Sequence, residues 1–408
     1  MAQDSRTREV ELGPIRPPSE ATSLLLRVTR NCPWNDCAFC AVYKGEKFGR
    51  RPVEEIVGDI DLLADAAARV RERLGRRRPH EPVDPAAALS IVRDDSATED
   101  ERRIALWLAR GGEHVFLQDA DSLVLPAERI VPVLERLRER FPSVNRVTTY
   151  ARSRTLCARS PAHLARLKAA GLTRIHVGVE SGSDEVLALI RKGCRAEHHI
   201  EGCRRAIDAG FEVCCYVMPG LGGRALSAVH AKETAAVLRA IDPQHVRLRT
   251  LGVEPGSPLA GMRREGLFES LEEHEIVAEI RDMLRGLCGA SGTVISDHDR
   301  NLLPELEGRL TEDADALDAA ATRFLELPPS IRDAFVVARR AGYVLELEAF
   351  LAAPGAAEKF ASLADRLRGL GGGSLQRGME LGLRFHVQSL QFIEDLLQVQ
   401  PVLGQDKD

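Results

Sequence analysis

Aromatic side chains are scarce, with Trp, Tyr and Phe making up 4% of the 408 residues. A core of ordinary density must therefore be assembled mainly from Leu, Val, Ile and Ala. Net charge is small as well: 56 Lys+Arg against 61 Asp+Glu leaves −5. That removes the global field that draws nucleic acid or anionic membrane to a basic protein, though not a local basic patch. No run of about 18 uncharged apolar residues is present, the minimum a membrane-spanning helix needs. Residues 1–20 are polar and lack a signal-peptide core. A cytoplasmic, reducing location is the expectation, so the nine cysteines read as ligands or buried thiols rather than disulfides. Internal repeats and long low-complexity tracts are also missing.

What is present is an alternation. Short apolar, β-rich runs at 23–28, 114–118, 146–150, 174–179, 211–217 and 245–251 are separated by amphipathic stretches. Such runs are the signature of buried parallel strands. Ile56, Ile60, Leu63 and Ala67 recur three or four residues apart and predict a helix over 53–74. Further helices are expected over 164–170, 184–192, 196–209 and 227–241, with Gly171 and Gly210 placed as C-caps. This order predicts βαβ units, and right-handed crossovers curl six of them into an open, partial barrel. The stretch 76–95, rich in Arg, Pro and Ala, reads as a surface insertion. A helical pattern at 271–287 and a strand-like piece at 293–296 follow, then helices over 311–325, 330–341, 356–370 and 374–399. The expected class is α/β: a partial (βα)6 TIM-like barrel with a C-terminal helical extension. Its divisions are an N-terminal extension 1–22, the barrel 23–255, a barrel extension 256–310 and a helical region 311–408.

The strongest chemical signal is Cys32, Cys37 and Cys40, in C-x4-C-x2-C spacing directly after the first strand. Thiolates are the usual ligands of iron–sulfur clusters, and a short loop can supply three of them. With no fourth cysteine adjacent, one iron would stay open to a small molecule. The competing reading is structural zinc, which wants four closed ligands and would need a remote fourth. The loop also leaves the C-terminal end of a strand, where parallel α/β barrels build their sites.

This loop resembles the cluster motif of the radical S-adenosylmethionine superfamily. Most members have C-x3-C-x2-C with an aromatic before the last cysteine; here Phe39 is that aromatic and the first gap is one residue longer. The wider run from Arg16 through Cys40 to Phe48 and Arg51 resembles an uncharacterised bacterial branch. That branch is near the anaerobic coproporphyrinogen oxidase, Elongator catalytic subunit and methylthiotransferase group. The resemblance implies a 4Fe–4S cluster on the three cysteines, with S-adenosyl-L-methionine on the open iron. It further implies reductive cleavage to a 5′-deoxyadenosyl radical that abstracts hydrogen from an unidentified substrate. Flavodoxin or ferredoxin would be the reducing partner.

The resemblance also assigns strand-end residues. Gln118, Asp119 and Asp121 stand where a Gly-Gly-Glu-like turn binds the cofactor's amino group in relatives; an acidic helix cap is the alternative for either aspartate. Tyr150, Arg152 and Ser153 would contact ribose or carboxylate, arginine suiting the latter through its paired donors. The segment 176–183 resembles the Val-Glu-Ser-Gly segment of methylthiotransferases, with Glu180 on ribose or ammonium and Arg191 on the methionine carboxylate. Val217, Met218 and Gly220 would lie along the adenine.

Other features are less directed. Arg247 and Arg249 share a face by period two, either toward substrate or on a covered face paired with acids. Asp297, His298, Asp299 and Asn301 cluster in a loop that either meets substrate or caps a helix. His198 and His199, beside Glu197, read as a surface pair rather than a metal site, and the remaining cysteines as buried thiols, with an auxiliary cluster site as the alternative. Two rival functions stay open. One is cleavage of another C–S bond, giving a 3-amino-3-carboxypropyl radical. The other is a non-catalytic zinc- or cluster-bearing protein whose tail 311–400 docks a partner or RNA.

Overall fold

The computed structural model describes residues 9–76 and 82–386. All six expected strands form. They are β1 Leu24–Arg27, β2 His114–Gln118, β3 Arg146–Ala151, β4 Arg174–Glu180, β5 Glu212–Val217 and β6 His245–Leu248. Thr293–Ile295 makes a seventh, β7, paired antiparallel with Gly308–Arg309. The architecture is the expected α/β class.

The chain divides into two compact units. The first comprises residues up to Val217 with Val237–Val246 and Val253–Met262. The second comprises Met218–Ala236, Arg247–Gly252 and the residues from Arg263 on.

In the first unit β1 to β5 lie parallel in chain order. The registers Leu26↔Leu117, Phe116↔Thr148, Tyr150↔His176 and His176↔Cys214 fix which side chains share a face. Helices intervene at Val53–Arg73, Ala127–Arg140, Pro161–Ala170 and Ala196–Asp208. The apolar stripe of the first of these, Ile56, Ile60, Leu63 and Val70, is buried. Gly171 ends the Pro161–Ala170 helix at φ 115, and Gly210 follows the Ala196–Asp208 helix at φ 84. These are left-handed positions that glycine fills without steric cost. Part of the stretch read as an insertion is ordered: Pro85–Val92 is a helix capped by Asp84. Glu99–Ala109 follows it, started by a reciprocal box between Thr98 and Glu101.

The second unit is mainly helical. Its helices include Glu273–Gly286, Leu310–Leu325, Pro329–Arg340, Leu347–Ala352, Ala356–Leu370 and Leu375–His386. The expected continuation of the last to 399 lies outside the described residues. In this unit Phe324, Phe335, Phe350 and Phe360 pack in series with tilted rings, 5.5–6.5 Å between ring centres. No described helix is long and apolar enough to cross a membrane.

Candidate active site

The cysteine loop is held from three sides. Asn31 at φ 68 and Asn35 at φ 47 give it two left-handed turns, which asparagine tolerates better than most residues. Asn31 Nδ2 donates to Lys47 O at 2.7 Å, and Asn35 Nδ2 donates to Tyr43 O and to Glu46 O. Thus 43–47 is folded back on the loop. From β2, Asp119 is fully buried; its Oδ2 accepts from Arg27 Nε at 2.8 Å and from Asn31 N at 3.1 Å. From the segment after β4, Ile190 O accepts from Ala38 N and Arg191 O accepts from Trp34 Nε1, both at 2.8 Å. Cys32, Cys37 and Cys40 are free thiols, each half-buried.

Beside this loop stands an ion pair that the sequence does not announce. β4 bulges between Gly178 and Glu180, and Glu180 adopts φ 63. A non-glycine residue there is strained and marks a position held by its surroundings. Its Oε1 accepts from Lys192 Nζ at 3.0 Å, with the two side chains only 12% and 10% exposed. Burial pulls the Lys192 pKa down, but Glu180 and the thiols Cys37 and Cys194 outweigh it, so the net shift is upward. The ammonium also lies over the Phe39 ring, 5.8 Å from its centre. Gly178 makes this possible: a Cβ there would meet Glu180 Oε1 at 2.3 Å and Lys192 Nζ at 3.0 Å. Gly193 leaves equivalent room for the Trp34 ring. Arg152 stacks its guanidinium 4.9 Å from the Trp34 ring centre and donates to Lys192 O at 3.0 Å. Burial raises the Cys37 thiol's pKa, with Lys192 acting the other way.

The other expected residues of the first unit divide by environment. Gln118 is buried and spends its carboxamide on the N-terminal arm. It accepts from Gly13 N at 2.9 Å and donates to Gly13 O and Ile15 O. Asp121 is buried and accepts from the Thr155 hydroxyl; burial, against Thr155 and Arg152, raises it to about 6. Tyr150 packs with Phe116, His176 and Tyr216 at 5.4–5.7 Å between ring centres. Arg191 points at Asp36, 3.8 Å away, on an exposed surface. Val217 is buried and lies in register with Glu180.

Ser153 is buried and bonded to His199 Nδ1 at 2.6 Å, while His199 Nε2 meets Cys194 Sγ at 3.5 Å. His199 is therefore not part of a surface pair. It is fully buried, and that burial lowers its pKa to about 3. Its partner Ser153 comes from the helix after β3, so no local pattern exposes the contact.

Met218, Gly220, Arg249, Asp297 and His298 belong to the second unit. The Met218 carbonyl accepts from His230 Nε2 at 3.1 Å, and Gly220 N donates to Glu279 at 2.6 Å. Arg247 is buried and paired with Asp297, the acid-paired alternative for that arginine. His298 Nδ1 accepts from Arg300 N at 3.1 Å; burial and then the Arg249 charge lower its pKa. Asn301 satisfies its whole amide internally: Oδ1 takes Thr250 N and Oγ1, and Nδ2 gives to Leu248 O and Ser296 Oγ.

A three-thiol loop is the donor chemistry of an iron–sulfur cluster; among the described residues no group of three His, Cys, Asp or Glu, the loop cysteines included, is arranged to hold a metal ion. The carboxylate of Glu180 and the cations Lys192 and Arg152 complement a zwitterionic amino acid. Residues missed from the sequence are Lys192 and Trp34, while His199 was read there as part of a surface pair. For Lys192 the usable signal was the glycine after it, which turns the chain back toward the loop.

Residues 90–231 match the Radical SAM superfamily, a stretch that begins after the cysteine loop. The chain is 29% identical over 112 residues to the tRNA uridine(34) acetyltransferase of Methanocaldococcus infernus, 27% of this chain and 21% of that one. It is 33% identical over 86 residues to the biotin synthase of Pseudarthrobacter chlorophenolicus, 21% of this chain and 23% of that one. These matches span about a fifth of either relative's length. Among solved structures, coproporphyrinogen III oxidase of Escherichia coli is similar at a TM-score of 0.42 and 16% identity. That likeness covers 66% of this chain and 52% of that one.

Proposed function

We propose that this chain, whose residues 90–231 match the Radical SAM superfamily, binds a 4Fe–4S cluster on Cys32, Cys37 and Cys40 and uses S-adenosyl-L-methionine to initiate radical chemistry on a substrate. When bound, the pair would supply the electron transfer and C–S cleavage that give a 5′-deoxyadenosyl radical able to take hydrogen from that substrate. The observation that carries the reading is the Glu180–Lys192 pair clasped to the cysteine loop through Trp34 and Ala38.

In this reading Glu180 accepts from the cofactor's ammonium. Lys192, rather than Arg191, offers the cation for its carboxylate, because Lys192 is buried beside Phe39 while Arg191 faces Asp36 at the surface. Arg152 adds a second cation, oriented by its stack on Trp34. Phe39 shields one side of the pair from water, which strengthens every charge interaction there. Asp119 acts one step back, by fixing Arg27 and the first amide of the loop. Electrons would come from a low-potential flavodoxin or ferredoxin.

Anaerobic reconstitution with iron and sulfide, then addition of S-adenosylmethionine and dithionite, tests the reading. Methionine and 5′-deoxyadenosine are expected. Methylthioadenosine instead would place the cleavage at the other C–S bond. One equivalent of zinc, with no brown chromophore and no cleavage product, would overturn it.

A further inference from the structure

Cys194 follows Lys192 across the turn that Gly193 makes at φ 72. Its sulfur lies 3.5 Å from Nε2 of His199, and Nδ1 of the same ring lies 2.6 Å from the Ser153 hydroxyl. All three side chains belong to the first unit, as do Glu180, Lys192 and the cysteine loop. His199 and Ser153 are buried, whereas Cys194 keeps part of its surface open. The thiol is therefore gripped from inside and reachable from outside. Cys203 and Cys215 differ in being closed to solvent, and Cys157 spends its sulfur on the His198 carbonyl at 3.3 Å. The charges that act on Cys194 are Lys192, then Arg152 and Glu180, so it stands beside the residues given to the cofactor's amino-acid end.

Burial raises the Cys194 thiol's pKa, against Lys192 and Arg152. Burial likewise lowers His199 to about 3. Near neutral pH the pair is thus an uncharged thiol against an uncharged imidazole. Such a ring has one N–H and one lone pair. With the thiol donating to Nε2, the ring proton sits on Nδ1 and is donated to Ser153 Oγ. A nucleophile would need the thiolate. This arrangement instead keeps hydrogen on sulfur and fixes the direction of the S–H bond.

We propose that Cys194 is the hydrogen-atom donor that ends the radical reaction, held in place by His199 and Ser153. The inference rests on the proposed use of S-adenosylmethionine. An S–H bond is weaker than most C–H bonds, so a carbon radical takes hydrogen from a thiol. In this step the product-side carbon radical forms its C–H bond as the Cys194 S–H bond breaks, leaving a radical on sulfur. One electron from a donor of the low-potential flavodoxin or ferredoxin class, and one proton from solvent at the open side of the sulfur, restore the thiol. A turnover ended in this way draws one electron to cleave the cofactor and another to restore Cys194. The substrate class is one whose carbon radical rearranges or fragments and is then quenched by hydrogen.

The test uses the reconstituted full chain in deuterium oxide, with S-adenosylmethionine and titanium citrate and no added substrate. Hydrogen on sulfur exchanges with solvent; hydrogen on carbon does not. Without substrate the 5′-deoxyadenosyl radical takes hydrogen from the nearest donor, so 5′-deoxyadenosine from the unaltered protein should carry one deuterium. Cys194→Ser should lose that deuterium, because an O–H bond is too strong for the radical to break. Cys194→Ala serves if the serine variant does not fold or releases no product. The readout is an isotope ratio within the product, which a purely structural role of the thiol would not move. A second measurement needs no variant: with a nitrone spin trap present during cleavage, the protein adduct should map to the peptide carrying Cys194. Undeuterated 5′-deoxyadenosine from the unaltered protein, deuterium retained in the variants, or no trap adduct on Cys194 would each overturn the proposal. Release of no 5′-deoxyadenosine by the unaltered protein would instead defeat the underlying functional reading.

Discussion

The Glu180–Lys192 pair permits a quantitative test that needs no cofactor. At 3.0 Å, and with an effective dielectric constant near 20, the direct attraction is roughly 5 kcal/mol. Desolvation of both groups offsets much of it, so the net worth of the intact pair is small. Removing one partner is different, because it strands the other charge in a site about nine-tenths closed to water. Such single losses cost about 3–5 kcal/mol, and the residual exposure of 12% and 10% argues for the lower end. Lys192→Met and Glu180→Gln should each cost about 3 kcal/mol. The double variant should cost only about 1–3 kcal/mol, leaving a coupling of several kcal/mol between the two positions. Urea unfolding of the four apoproteins at neutral pH reads the cycle, provided they share one m-value. Coupling below about 0.5 kcal/mol would refute the reasoning, since that is how a solvated surface pair behaves.

Other outcomes follow from single contacts. Glu279 has a folded pKa of about 7 against an ordinary 4.5, so folding favours its protonated form. Its contribution is full below about pH 4.5 and is lost as pH rises through 7, about 3 kcal/mol in all. That loss should be absent in Glu279→Gln when apoprotein stability is followed from pH 4.5 to 8, while His230, lowered by burial to about 4, adds a gain over the lower part of that range in both proteins. Ser153→Ala strands the buried Nδ1 of His199 and should lower stability by about 1–3 kcal/mol, read from the urea midpoint. Gly13→Ala would place a Cβ 1.9 Å from Asp119 Oδ1. Displacing the arm or the aspartate should cost about 1–3 kcal/mol and lower the iron bound per chain on reconstitution, measured by colorimetric iron analysis.

The strands were legible because buried parallel strands are apolar on both faces, and β1 to β6 differ from their expected bounds by only a few residues. Glu99–Ala109 was not, since its apolar face, Ile104, Ala105 and Leu108, sits among a run of charges that reads as surface. The cysteine loop was visible from spacing alone. Its supports were not: Asp119 lies 88 residues from Asn31, and Arg191 lies 157 residues from Trp34. Lys192 was passed over because its direction depends on a short helix, Asp184–Leu189, and on the turn at Gly193, of which only the glycine shows in the sequence. His199 looked polar and exposed, whereas β3 delivers Ser153 to it from 46 residues away. Pattern reveals faces and loops; it does not reveal which distant strand end meets which.

The N-terminal arm imposes an order on biosynthesis. Glu11 bridges Arg27, Arg30 and the buried Arg51, and Gly13 is clasped by Gln118, 105 residues downstream. Asp119, which ties down the first amide of the cysteine loop, is made at the same late moment. At roughly 5–20 residues per second, a ribosome needs about 5–20 s to travel from the arm to its partner. Through most of that interval Cys32, Cys37 and Cys40 have been synthesised but lack the β2 anchor that shapes their loop. If the loop holds the proposed cluster, stable loading on the nascent chain must wait for β2, and the thiols pass those seconds open to oxidation or to another ion.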